Sequence, residues 1–277
     1  MPRVTVNGIG LFYQDLGAPD AEPVVLIMGW GGDHTAWAFQ MPALATAYRV
    51  IAPDNRGAGQ TDQPDAPYSI AGMADDVAAL LDRLGVTRAH VCGASMGGMI
   101  AQELALRHPG RVRTLQLHCT LARPDAYGTH LVETLLRVRA REDREEWARA
   151  MLPWIISRKT ARERPDFVQL MIQRALDNPY PTSLAGLRRQ AEAIGGHDTL
   201  ERLGSIRVPT LITVGSDDIL VPPSFSREIL ARISGADFAL IPDAGHVHFL
   251  EQPQAFNEAM VRFLSKHATG AGVRPPR

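Results

Sequence analysis

The residues best suited to chemistry in this chain are Gly93-Ala94-Ser95-Met96-Gly97. They follow the apolar stretch His90 to Cys92 and open a segment in which Met96, Met99, Ile100, Leu104 and Leu106 recur at helical spacing until Pro109-Gly110. A bare Gly-x-Ser-x-Gly arises by chance, but strand before and helix after is the context that a nucleophilic serine requires. A sharp strand-to-helix turn strains the serine backbone and lifts its hydroxyl clear of the sheet. Glycines two residues to either side let neighbouring backbone pass, and the helix N-terminus presents free N–H groups to the reacting atom. The alternative is that Ser95 only caps a helix.

A serine hydroxyl is a poor nucleophile unless a base takes its proton and an acid orients that base. Both types occur further along, in the order Ser, Asp, His. The apolar run Thr210 to Val214 leads into Gly215-Ser216-Asp217-Asp218-Ile219-Leu220-Val221-Pro222, and Phe238 to Ile241 leads into Pro242-Asp243-Ala244-Gly245-His246. These candidates lie just past the carboxyl ends of late strands, where open α/β sheets bind ligands.

The elements that must position them are legible as periodicities. Asn7-Gly8 between Val4–Val6 and Leu11–Tyr13 is a hairpin signal. Pro23 to Met28, Tyr48 to Ala52 and Leu115 to Leu117 are continuous apolar runs, as in strands buried on both faces. Ile70, Met73, Val77, Leu80, Leu81 and Leu84 make an amphipathic helix ended by Gly85, and Phe256, Met260, Phe263 and Leu264 make a last one. Strands alternating with helices predict a mainly parallel sheet covered on both sides. Residues 121–206 break the alternation, with helical periods and no strand; a structureless loop of that length is improbable, so a helical cap is expected there. The expected organisation is a core of residues 1–120 and 207–266, a cap of 121–206, and a disordered Gly/Pro/Arg-rich tail of 267–277. Asp198 is expected to cap a helix from Thr199 to Leu203.

Bulk properties exclude several classes. With 45% hydrophobic and 21% charged residues in 277, the chain is an ordinary globular protein. A net charge of −1 provides no field for nucleic acid or an anionic membrane. No apolar run approaches the roughly 18 residues of a membrane span. Met1-Pro2-Arg3 passes directly into strand-like sequence, unlike a signal peptide. Two cysteines, Cys92 and Cys119, suit neither a disulfide scaffold nor a metal site, so a cytoplasmic location is expected.

Four motifs in order give the chain a family resemblance: the Gly93–Gly97 turn, Asp54-x-Arg56-Gly57-x-Gly59, Gly215-x-x-Asp218-x-x-x-Pro222 and Gly245-His246-x-x-x-x-Glu251-x-Pro253. The chain resembles the α/β-hydrolase superfamily, in particular its capped esterase and enol-lactonase-like members, over Val4 to Leu264. The resemblance implies an eight-stranded, mostly parallel twisted sheet with helices on both faces and an inserted helical cap. It implies Ser95 as nucleophile, His246 as base and Asp218 as acid, with Asp217 the alternative acid. It also implies an oxyanion hole from the backbone N–H groups of Met96 and Trp30. Trp30 lies in Met28-Gly29-Trp30-Gly31-Gly32, where relatives commonly carry His and this chain has Met28. Around these residues Met28, Leu220, Val247 and Trp154 are candidate pocket residues. Asp54-Asn55-Arg56-Gly57-Ala58-Gly59 reads as a structural turn with Arg56 in a local ion pair. His248, two residues after the base, reads as a polar residue packed beside the site.

The expected function is hydrolysis of a carboxylic ester or lactone by a Ser-His-Asp acyl-enzyme mechanism with no cofactor and no metal. The expected partner is a small, uncharged, moderately apolar substrate, and the sequence leaves oligomeric state open. A carbon–carbon bond hydrolase or a thioesterase would use the same triad. A slow or non-catalytic ligand receptor on a hydrolase scaffold is the alternative of another class.

Overall fold

A computed structural model describes residues 2–268. Asn7 and Gly8 take left-handed backbone, φ 44° and 79°, and fold strand β1 (Arg3–Val6) onto β2 (Ile9–Leu16) with Val6 opposite Ile9. Positive φ at both central residues matches the turn to the twist of the two strands. The same sheet continues through β3 (Pro23–Ile27), β4 (Arg49–Pro53), β5 (Ala89–Ala94), β6 (Val112–His118), β7 (Thr210–Gly215) and β8 (Asp237–Ile241). Its order is β1-β2-β4-β3-β5-β6-β7-β8. Strands β3 to β8 are parallel, whereas β1 and β2 are antiparallel to their neighbours. This is the mostly parallel eight-stranded sheet that the resemblance implied.

The apolar runs follow from burial on both faces. Along β3, Val25 and Ile27 pack with Met73, Val77 and Leu80 of helix Ile70–Arg83 and with Ile100 of helix Met96–Arg107. Val24 and Leu26, pointing the other way, pack with Trp37, Met41 and with Phe256 and Met260 of helix Pro253–Lys266. Leu26 is fully buried, and its truncation to alanine costs about 2–5 kcal/mol. The chain leaves β3 toward β4 and returns to pair β5 on the other side, so the strand order reverses between β3 and β5. The crevice at their carboxyl ends is where such sheets bind ligands.

Between β6 and β7 lie the helices Ala126–Arg139, Arg144–Ile155, Arg158–Glu163, Pro165–Asp177 and Leu184–Gly195, with no strand among them. Local signals start most of them: Asp125, Asp143, Ser157 and Ser183 each accept the backbone N–H three residues on, satisfying donors that a helix start leaves unpaired. The segment expected as a helix after Asp198 is instead a turn running into a single 3-10 turn at Leu203–Ser205. Asp198 accepts the Leu200 N–H at 3.1 Å and pairs with Arg123 at 2.8 Å. The Thr199 N–H donates to the Ala122 carbonyl and its hydroxyl to the Gln102 side chain, while its carbonyl accepts the Arg202 and Leu203 N–H groups in a single turn that does not continue. Of the tail expected to be disordered, residues 269–277 lie outside the described residues. Among the described residues no helix is long and apolar enough to cross a membrane.

Candidate active site

Ser95 ends β5 with φ 57° and ψ −122°, a conformation that L-residues rarely occupy and that costs about 1–3 kcal/mol. The surroundings enforce it. The Ser95 N–H donates to the His118 carbonyl at 2.9 Å, and the Thr120 hydroxyl donates to the Ser95 carbonyl at 2.7 Å. A Cβ at Gly93 would be driven into the Gly97 carbonyl, and one at Gly97 into the Ile27 carbonyl, so both glycines are required by close backbone passage. Ser95 is half-buried and its side chain borders a cavity. Among the described residues its hydroxyl has no hydrogen-bond partner, as is common for catalytic groups before substrate tightens the contacts.

Two strands along from β5, β7 delivers Asp218, and the next strand, β8, delivers His246. Nδ1 of His246 lies 2.9 Å from Oδ2 of Asp218, and both residues are buried. The other oxygen, Oδ1, accepts the N–H groups of Leu220 and Val221 at 3.0 and 2.8 Å. A carboxylate only accepts, so Asp218 holds the ring with Nδ1 protonated and Nε2 left as the basic nitrogen. Asp217 is exposed and takes the Ser216 hydroxyl at 2.8 Å. Asp243 has φ 56° and pairs with Lys159 at 2.6 Å. Among the described residues neither forms a hydrogen bond or ion pair with His246. His248 is fully buried between the His246 carbonyl, 3.2 Å from its Nδ1, and Thr213, 2.9 Å from its Nε2; burial lowers its pKa to about 4. Cys92 and Cys119 are buried, and burial raises both thiols, which removes them as nucleophiles.

The loop after β3 supplies the opposite wall. Neither the Trp30 nor the Met96 backbone N–H donates to another group among the described residues. Met96 is the first residue of its helix, where donors are free. A Cβ on Gly29 would stand 2.8 Å from that of Ser95, so this loop passes directly beside Ser95. With methionine at position 28, the loop is braced by groups that motif reading missed. Asn55 donates to the Met28 carbonyl at 2.7 Å, Gln190 accepts the Gly31 N–H at 2.9 Å, and Thr182 donates to the Gly31 carbonyl at 3.0 Å. Asn55 lies in the turn already singled out, Thr182 in a loop and Gln190 within the helix Leu184–Gly195, so the braces share no sequence pattern. Arg56 pairs with Asp76 through contacts of 2.6 and 2.7 Å, the local ion pair expected of that turn.

The helical segment between β6 and β7 also holds the loop that carries His246. Glu251 is buried; one oxygen accepts the Gly245 N–H at 2.6 Å and the other the Ser157 N–H at 2.9 Å. The Val247 N–H donates to the Ile155 carbonyl at 3.0 Å.

The cavity bordered by Ser95 encloses about 450 Å³. Met99, Leu121, Leu136, Met151, Leu220 and Phe225 give it an apolar lining, with Asp125, Glu133, Arg188 and Glu192 also present. Of the expected pocket residues, Leu220 lines it. Met28 and Val247 are not in its lining; they pack in an apolar cluster that joins Trp37 and Phe256 to Leu152 and Ile156 of the inserted helices. Trp154 lines neither this cavity nor its neighbour in the cap; Met151, three residues earlier on the same helix, does. Asp33, His34 and Asp54 bring ligand-type atoms within 4.8 Å of one another. Their carboxylate oxygens already accept from Thr35, Asn178, the His34 N–H and ring, and the Gln60 N–H. That cluster is a turn lock rather than a cation site.

Comparison with known proteins agrees with this fold. A family model described as "alpha/beta hydrolase fold" matches residues 22–253. The "Putative carbamate hydrolase RutD" of Caulobacter sp. (strain K31) is 33% identical over 94% of this chain and 97% of its own length. Among solved structures, the enol-lactonase from Burkholderia xenovorans LB400 superposes with a TM-score of 0.87 at 31% identity, covering 95% of this chain and 100% of that one. A thermophilic esterase from Thermogutta terrifontis gives 0.85 at 30% identity, covering 97% and 100%.

Proposed function

Because the chain belongs to the α/β-hydrolase family, we propose that it is a serine hydrolase that cleaves a carboxylic ester or lactone through an acyl-enzyme. The observation that carries this reading is the strained Ser95 backbone, set between two unengaged N–H groups and facing a cavity. In this mechanism His246 removes the Ser95 proton through Nε2 as Oγ attacks the carbonyl carbon. Asp218 keeps the ring in that tautomer and stabilises the imidazolium. The Trp30 and Met96 N–H groups bind the developing oxyanion, each lowering the barrier by about 3 kcal/mol. His246 returns the proton to the leaving alkoxide, and water then releases the acid by the same steps. Every proton is exchanged between named groups, so the cycle needs no metal or organic cofactor.

The apolar lining supports an uncharged, moderately apolar acyl group. The test is saturation kinetics on p-nitrophenyl esters with wild type and Ser95→Ala. Saturable turnover in the wild type that Ser95→Ala abolishes is expected; equal turnover in both, or preference for charged acyl groups, contradicts the proposal. A second reading, carbamate cleavage, is favoured by the name of the Caulobacter relative, since a carbamate presents the same carbonyl to the same groups. Matched ester and carbamate substrates separate the two.

A further inference from the structure

The cap holds a second cavity of about 280 Å³. Two residues line both it and the cavity at Ser95, namely Trp30 and Met151. The indole of Trp30 is fixed in place: its Nε1 donates to the Leu187 carbonyl at 2.9 Å, and its ring stands edge-on to Trp147 at 5.9 Å between centroids. Leu187 and Trp147 line the second cavity and not the first. The indole therefore spans from the nucleophile's chamber to the far wall of the cap chamber, and Met151 from helix Arg144–Ile155 completes the contact.

We infer that the Trp30 and Met151 side chains form a partition that sets the longest acyl chain accepted at Ser95, with an apolar cap chamber closed off behind it. This rests on the acyl-transfer reading and adds to it a determinant of chain length. Trp30 has two separable parts in this account. Its backbone N–H serves the oxyanion and survives any side-chain replacement, whereas its indole excludes substrate. Removing the indole would join chambers of about 450 and 280 Å³. Ala148, Leu152, Ile155 and Met171 give the added space apolar wall beside the polar Arg139, Arg144 and Asn178, and each methylene buried against the apolar part improves binding by up to about fourfold.

The experiment compares kcat/KM for p-nitrophenyl butyrate, octanoate and decanoate in wild type, Trp30→Leu and Met151→Ala, with thermal melting of each. The decanoate-to-butyrate ratio should rise at least about tenfold in Trp30→Leu, and by less but in the same direction in Met151→Ala. A ratio unchanged within about twofold in folded variants overturns the partition, even if absolute rates fall. If Trp30→Leu fails to fold, Met151→Ala decides alone. Ester turnover that persists in Ser95→Ala instead defeats the acyl-transfer reading itself, so the two failures are distinguishable.

Discussion

Replacing Glu251 by glutamine should loosen the joint between the helices inserted after β6 and the loop that carries His246, the proposed base, and the structure gives the size of the effect. Both Glu251 oxygens accept backbone N–H groups, from Gly245 and Ser157, at a position 1% exposed. A carboxamide has one acceptor oxygen, so one N–H is left facing the NH2 group. Losing a charge-assisted bond and stranding a buried donor together cost about 3 kcal/mol. In a chain of this length that lowers Tm by about 6 °C, at roughly 2 °C per kcal/mol. Because Gly245 immediately precedes His246, kcat should fall more than KM rises. Glu251→Ala, which strands both donors and removes the charge, should cost about 1–2 kcal/mol more than Glu251→Gln. Urea denaturation of wild type and the two variants measures both costs. A Glu251→Gln cost below about 1 kcal/mol, or a Glu251→Ala cost no greater than that of Glu251→Gln, refutes the reasoning.

The other consequences concern neighbouring groups. Asp218→Asn should lower kcat by about 10⁴-fold, as loss of the orienting acid does elsewhere, while Asp217→Asn should change it less than twofold; the reverse order in steady-state assays would move the acid to Asp217. Gln190→Ala removes the acceptor for the Gly31 N–H and the donor to the Arg56 carbonyl, so kcat/KM should fall about tenfold through a loosened oxyanion loop; an unchanged kcat/KM sinks that role. Burial lowers His197 and His248 to about 4, whereas the unfolded chain protonates them near 6.5. The unfolded state therefore takes up more protons below pH 6.5, and stability falls as pH drops toward 4. At pH 5 the loss is about 2 kcal/mol per histidine, and urea midpoints at pH 7 and 5 measure it. Equal or greater stability at pH 5 contradicts it.

Local pattern carried much of the architecture. Asn7-Gly8 marked the hairpin because its backbone demand is local, and Pro23–Ile27 marked a central strand because both faces are covered. Ser95 stood out because a close-packed strand-to-helix turn admits little but glycine on either side. What stayed hidden depends on contacts distant in sequence. Gln190 reaches Gly31, and Glu251 reaches Ser157, across separations that no periodicity encodes. Met28 and Val247 flank site residues in sequence, yet they pack in an apolar cluster outside the lining of the cavity at Ser95. On the cap, Trp154 and Met151 sit one turn apart, and only Met151 lines the cavity at Ser95. Asp198 kept its turn-capping contact, but the helix expected after it is a single turn, with Thr199 bonded to Ala122 and Gln102.

The central claim is that Ser95 is the nucleophile, and active-site labelling tests it most directly. A fluorophosphonate probe should add one mass adduct per chain, and peptide mapping should place it on Ser95. Labelling should be lost in Ser95→Ala and slowed at least a hundredfold in His246→Ala, which removes the base. No adduct in the folded protein, or an adduct on another residue, would contradict the account.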